Sequence, residues 1–174
     1  MAGSLRKIDE EIVTSAVASV TLVGIDSTYD VYMVKLNNVS PATANIFRAR
    51  ITKDVTGTPT PQTTTNYDFA FKGLKTSGSF ENNYNSNQNY IDVSDSFVNA
   101  STGNANLIMY IFNANNSSEY TFLTIETSHY AGAELYGNQG GAVYTVAEAH
   151  NGIQFYFDGI NTDAGTFTLY GLKK

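Results

Sequence analysis

Residues 20–36 read VTLVGIDSTYDVYMVKL, two runs of β-branched and aromatic residues around a polar break at Gly24-Ile25-Asp26-Ser27-Thr28. Side chains of an extended chain point alternately to its two faces, so such runs specify strands with one buried face. Gly and Asp in the break supply turn chemistry, which predicts that the two runs pair back to back as a hairpin. The same pattern recurs. In Ile46–Lys53, Phe47, Ala49 and Ile51 alternate with Arg48, Arg50 and Thr52; in Tyr67–Leu74, Tyr67, Phe69 and Phe71 share one side. Leu107–Asn113 and Tyr120–Thr127 read as a hairpin around Ala114–Ser118, and His150-Asn151-Gly152 is a turn before Ile153–Phe157. The last strand is Thr166–Leu172, after a turn over Asp158–Gly165.

About nine or ten strands at short spacing, without alternating helices, predict an all-β chain: an antiparallel β-sandwich, jelly-roll-like. Composition agrees. Only 15% of the 174 residues are charged, and Asn, Thr, Ser and Gly replace the strong helix formers. Several stretches read as connections instead. These are Asn37–Ala44 with Pro41, Val55–Asn66 (VTGTPTPQTTTN), the amide-rich Asn82–Tyr90 (NNYNSNQNY), and Ser128–Asn138. Tyr90–Ala100 reads as a short strand or a helical turn, and Gly140-Gly141 as the opening of a strand over Ala142–Ala149.

Residues 1–16 form an N-terminal arm or short helix ahead of a single sandwich domain over 17–174. Ser4 offers a cap, and Leu5, Ile8 and Ile12 follow at i, i+3 and i+7. The segment reads either as one or two amphipathic helical turns or as an extended arm that packs on its own domain or reaches a neighbouring subunit. Leu5, Arg6, Lys7, Ile8 and Ile12 are its candidate interface residues.

Net charge is −6, unevenly spread. Up to Lys75 there are eight Lys/Arg and seven Asp/Glu; from Thr76 to Leu172 there are nine Asp/Glu and no cation. Phosphate affinity comes mainly from Lys and Arg, so nucleic acid is not an expected partner. Without cysteine there is neither a disulfide framework nor a thiolate nucleophile. No apolar run nears the roughly 20 residues of a helical membrane span, so no membrane partner is expected. The opening MAGSLRKIDEEIV lacks a signal-peptide core, so the chain is expected to be made and kept in the cytoplasm, or released only by lysis.

Signals for chemistry are sparse. His129 and His150 lack metal-ligand spacing, and no Gly-x-Ser-x-Gly occurs. Asp92 with Asp95, or Glu126 with Glu148, could in principle serve as glycosidase pairs. Asp158, Asn161 and Asp163 before Gly165 faintly resemble a calcium loop without its spacing or closing Glu. Arg48 and Arg50 suggest a weak anion patch, and the amides and tyrosines of Asn82–Tyr90 a weak sugar site. Asn-x-Ser sequons at Asn38, Asn99, Asn115 and Asn116 are expected by chance in so Asn- and Ser-rich a chain. No catalytic residue, cofactor or metal is expected.

Two motifs carry a resemblance: Gly24-Ile25-Asp26 with Tyr29-Asp30-Val31-Tyr32, and Gly165-Thr166-Phe167-Thr168-Leu169-Tyr170-Gly171. Together with ATANIFRARIT, they make the chain similar to small virion structural proteins of marine and cyanobacterial tailed bacteriophages. The resemblance covers both ends of the chain and not Val55 to about Asn138. It implies a jelly-roll-like virion component without catalytic residues, assembled in the host cytoplasm. The expected role is capsid decoration, in contact with the major capsid protein or other virion proteins and as a homo-oligomer, a trimer favoured. The alternative is a tail-associated or fibre-tip module that binds host glycans. Removing residues 1–14 is expected to abolish particle binding while leaving the sandwich folded.

Overall fold

A computed structural model describes residues 4–98, 104–131 and 134–172. They form thirteen strands: β1 (Leu5–Val13), β2 (Val20–Val23), β3 (Val31–Pro41), β4 (Asn45–Val55), β5 (Thr58–Pro61), β6 (Tyr67–Lys75), β7 (Phe80–Gln88), β8 (Ile91–Phe97), β9 (Ala105–Phe112), β10 (Thr121–Ala131), β11 (Glu134–Tyr144), β12 (Gly152–Phe157) and β13 (Thr162–Leu172). Every strand pairing is antiparallel. One sheet has eight strands in the order β1-β13-β3-β9-β10-β11-β6-β7. The other runs β2-β12-β4-β5, and β8 also pairs with β4. The two sheets pack face to face as a β-sandwich, as the alternation predicts.

Inward residues of both sheets build one core. Its centre is Phe47, whose ring lies 5.2 Å from Phe97, 5.7 Å from Phe155 and 4.7 Å from Phe157. Phe47, Ala49 and Ile51 are fully buried, and Tyr67, Phe69 and Phe71 are buried on the facing sheet. The hairpin of β9 and β10 stands in its expected place, with Phe112 opposite Phe122.

Several segments differ from the sequence reading. The runs before and after Gly24–Thr28 do not pair: β2 joins β12 in one sheet, while β3 lies between β13 and β9 in the other. The break is therefore an arch between sheets, held by Gly24 and Ile25 amides that donate to the Asn151 carbonyl at 3.1 and 3.0 Å. Strand β3 continues to Pro41, because Asn37–Asn38 forms a bulge and not a loop; Asn38 sits at φ 54°. Within Val55–Asn66, β5 folds back on β4 across a turn at Thr56-Gly57. The amide-rich run forms β7, and Ser128–Asn138 is strand on either side of residues that lie outside the description. Gly140 and Gly141 stand in mid-strand, whereas 145–151 is irregular; in place of the expected turn at His150–Gly152, the His150 and Asn151 amides donate to the Ala114 and Thr52 carbonyls and Gly152 opens β12.

The N-terminal segment is a strand and not a helix. Strand β1 pairs with β13 from Leu5–Leu172 to Val13–Gly165, with a bulge at Ile8 between Lys7 and Asp9. The bulge shifts the side-chain alternation by one and puts Leu5 and Ile12, seven residues apart, on the outer face, while Ile8 packs on the core, so the helix-like spacing does not mark a common face.

Candidate functional site

The two motif runs, some 140 residues apart in sequence, meet in space around β1. In the first, the Asp26 amide donates to the Tyr32 hydroxyl at 2.9 Å and that hydroxyl donates back to the Asp26 carbonyl at 2.6 Å. Burial pushes the Tyr32 hydroxyl up to about 12, against the pull of the Asp26 backbone, so it keeps its proton for this bond. Asp26 Oδ1 also accepts the Thr28 amide at 2.8 Å, which closes the corner. Gly24 lies at φ 98°, and a Cβ there would stand 2.6 Å from Ile8 Cγ2. Its hydrogen is what seats Ile8 of β1. In the second motif Gly171 faces the Tyr29 ring, which a Cβ would approach to 2.4 Å. Gly171 is also the cross-strand partner of Arg6.

Strand β1 is thus anchored on one side and open on the other. Val13 is buried, Ile8 packs on the core, and Asp9 Oδ2 accepts the Val23 amide at 2.8 Å, tying the two sheets together. Among the described residues, no strand lies beyond β1 in its sheet. Leu5 and Ile12 are 54% and 62% exposed, and Lys7 Nζ pairs with Glu10 Oε1 at 2.9 Å across the bulge. Of the five sequence-predicted interface residues, Leu5, Arg6, Lys7 and Ile12 are exposed along this edge, while Ile8 serves the anchor.

Arg48 and Arg50 are held within the sandwich. Arg48 Nε meets Asp92 at 2.9 Å, its Nη1 meets Asp158 at 2.6 Å, and its guanidinium lies 3.9 Å over the Tyr90 ring. Arg50 stacks 4.6 Å over Tyr156 and donates to the Asn89 carbonyl at 2.8 Å. Both guanidinium groups are engaged internally and make no anion patch. Burial holds the Asp92 carboxyl above its ordinary value, although Arg48 pulls it down. The side chain of Asp95 lies outside the described residues, as does the Asn99 sequon.

Glu126 and Glu148 do not form a pair. Glu126 accepts from Gln139 at 2.8 Å on the outer face of the large sheet. Glu148 belongs to a partly buried network that sequence reading missed. His150 is fully buried, with Nδ1 3.0 Å from Thr121 Oγ1 and Nε2 3.5 Å from Glu148 Oε1, too long for a well-formed hydrogen bond. Lys53 closes the network on Glu148 Oε2 at 2.5 Å. The sequence resembles a hydroxyl–imidazole–carboxylate relay, yet Thr121 is also fully buried, so its oxygen cannot meet a substrate. Burial pushes the His150 imidazole below its ordinary value, even beside Glu148. Burial alone would raise the Glu148 carboxyl; Lys53 outweighs it and lowers it.

Asp158 turns to Arg48 while Asp163 is already within β13, so the calcium-like loop does not gather its oxygens. Among the described residues no three His, Cys, Asp or Glu side chains group to hold a metal ion, and no helix is long and apolar enough to cross a membrane.

One further surface stands out. On the outer face of the large sheet, Phe112, Phe122 and Val143 border a shallow trough of about 520 Å³, with Ala70 and Gly141 among its lining residues. Beyond it, β7 exposes Phe80 and Tyr84, the latter 73% accessible. No protein-family model matches the chain, and no curated protein matches it.

Proposed function

We propose that this chain is an auxiliary structural protein of a tailed-phage virion, a capsid decoration protein whose β1 edge makes protein–protein contacts. The observation that carries the reading is the convergence of the two virion-like motifs on β1. Gly24 seats Ile8, and Gly171 lies between Arg6 and Tyr29. These motif residues do no chemistry, and their effect is to fix an edge strand with two outward apolar side chains, Leu5 and Ile12.

The strand order supports a jelly-roll reading. Without β5–β7 and β10–β11, the sheets reduce to β1-β13-β3-β9 and β2-β12-β4-β8. Successive strands of that set alternate between sheets except at β4 and β8, which pair within one sheet, the double Greek-key order found in viral capsid domains among others. Fold analogy alone does not assign a role; the exposed edge adds the contact surface. Charge adds a direction: the cations lie largely in the first 75 residues, so the acidic remainder suits a solvent-facing surface.

Because β1 covers β13, removal of residues 1–14 would strip a paired strand from the sheet. Exposed point variants are the sharper test. Leu5→Asp with Ile12→Asp is expected to abolish binding to purified shells without altering the fold. Undiminished binding by the folded double variant would overturn the proposal.

The aromatic trough favours a second reading, in which the outer face binds a host glycan. Rings such as Phe122 and Tyr84 would stack on sugar C–H faces, with Asn85 beside them. A glycan array decides it: selective signals lost in Phe122→Ser or Tyr84→Ser would support this reading, and a blank array would remove it.

A further inference from the structure

Edge strands with free amides invite another strand, and proteins usually blunt them with charge. The charges on β1 are ordered: residues 5–12 read Leu-Arg-Lys-Ile-Asp-Glu-Glu-Ile, cations in the first half and anions in the second. Reversed against itself, the segment sets Leu5 opposite Ile12, Arg6 opposite Glu11, Lys7 opposite Glu10 and Ile8 opposite Asp9. Both end pairs are apolar, and both pairs next to them are oppositely charged.

Such a register also needs each pair on a common face. In a regular strand it would set inward residues against outward ones. The bulge at Ile8 removes that conflict. Lys7 lies opposite Tyr170 and Glu10 opposite Thr168, and the Lys7–Glu10 ion pair and the Thr168–Glu10 bond place both on the outer face, with Leu5 and Ile12. Asp9 reaches the second sheet, Ile8 packs on the core, and Arg6 and Glu11 share their side, opposite Gly171 and the buried Phe167. The bulge therefore brings every complementary pair of the doubled edge onto a matching face. One edge donor, the Glu10 amide, is already held by Asp9 Oδ1 at 2.9 Å. The remaining edge is open.

We infer that β1 is a self-complementary docking edge, and that its occupant is β1 of a second copy, antiparallel about a two-fold axis, joining the two eight-stranded sheets. Identical surfaces meeting across a two-fold are the commonest homo-oligomeric contact. Cross-strand opposite charges then set the register, and the Leu5–Ile12 pairs seal its two ends. This deepens the reading of β1 as the contact edge by naming its partner, and replaces the expected trimer with a pair.

The test is a charge swap read by sedimentation equilibrium. Wild-type chain is expected to sediment at twice its monomer mass at high micromolar concentration, and less so as salt rises. An all-anionic β1 (Arg6→Glu, Lys7→Glu) and a cation-rich β1 with Asp9 kept (Glu10→Lys, Glu11→Lys) each weaken self-association by at least about tenfold, and their mixture restores the dimer. In parallel, hydrogen exchange of wild-type amides over Arg6–Ile12 slows as concentration rises. A wild-type chain that remains monomeric, a trimer, concentration-independent exchange, or reversed variants that still dimerise alone overturns the proposal. A monomeric chain that still binds shells through Leu5 and Ile12 leaves the virion reading standing.

Discussion

The two edges of the eight-stranded sheet have the same length of strand and opposite construction. Strand β1 is charged at five of its nine positions, yet it is anchored by buried Val13, by Ile8 on Gly24 and by Asp9 on the second sheet. Strand β7, at the other end, carries Glu81 as its one charge and is exposed on both faces, with only Asn83 and Gln88 half-buried. It rests on β6 and extends the sheet past the core, with Glu81 bound to Lys75. The difference teaches that edge protection and edge use are separate properties. The β7 edge is amide-rich and lacks a complementary partner pattern. The β1 edge combines a fixed backbone with an ordered charge sequence, which is what a specific contact requires.

The sharpest way to break this contrast is at the anchor. Gly24→Val places a β-branched side chain at positive φ and 2.6 Å from Ile8, and is expected to cost about 3 kcal/mol by chemical denaturation. Little or no loss would mean that β1 is not fixed by the motif. Tyr32→Phe removes the hydroxyl that binds Asp26 twice and should cost about 1–2 kcal/mol while leaving the core packed. At the free edge, Tyr84→Ser is expected to change stability by no more than about 0.5 kcal/mol. A large effect there would show that β7 is supported by more than β6.

Acidification separates the buried interior from both edges. The folded-state value of His150 lies below its ordinary 6.5, so its contribution is present above that pH and is lost as pH falls through the lower folded value. Glu148, also lowered, adds a loss of the same sign below 4.5. Denaturation midpoints should therefore fall as pH is lowered from 7 towards 5, and the fall should shrink in His150→Gln, compared with its own value at pH 7. An unchanged slope in that variant would assign the acid sensitivity elsewhere.

The sequence reading succeeded where a strand had one core face. Phe47-Ala49-Ile51 and Tyr67-Phe69-Phe71 alternate because each faces the opposite sheet. It failed where that condition is absent. The polar run of β7 alternates weakly because no sheet covers either face. In β1 the bulge at Ile8 breaks the period, so the segment read equally as helical turns or as an extended arm. Gly140 in mid-strand looked like an opening because Gly marks turns, yet a Cβ there would strike the Ala70 carbonyl of the neighbouring strand at 2.1 Å. The arch at Gly24–Thr28 has the composition of a hairpin turn, and only the pairing of β2 with β12 distinguishes them. As for the candidate site, Leu5, Arg6, Lys7 and Ile12 were legible as an exposed set. The role of Ile8 was not, since its seat depends on Gly24 sixteen residues away. The Thr121–His150–Glu148 network was equally hidden, because it joins residues from separate segments.

Cryo-electron microscopy of the intact particle is the decisive test of the proposal that β1 is a contact edge of a virion component. Density for this sandwich is expected to repeat over the icosahedral shell, with Leu5 and Ile12 buried against a neighbouring chain. Density confined to the tail, or subunits on the shell with β1 facing open solvent, would contradict it.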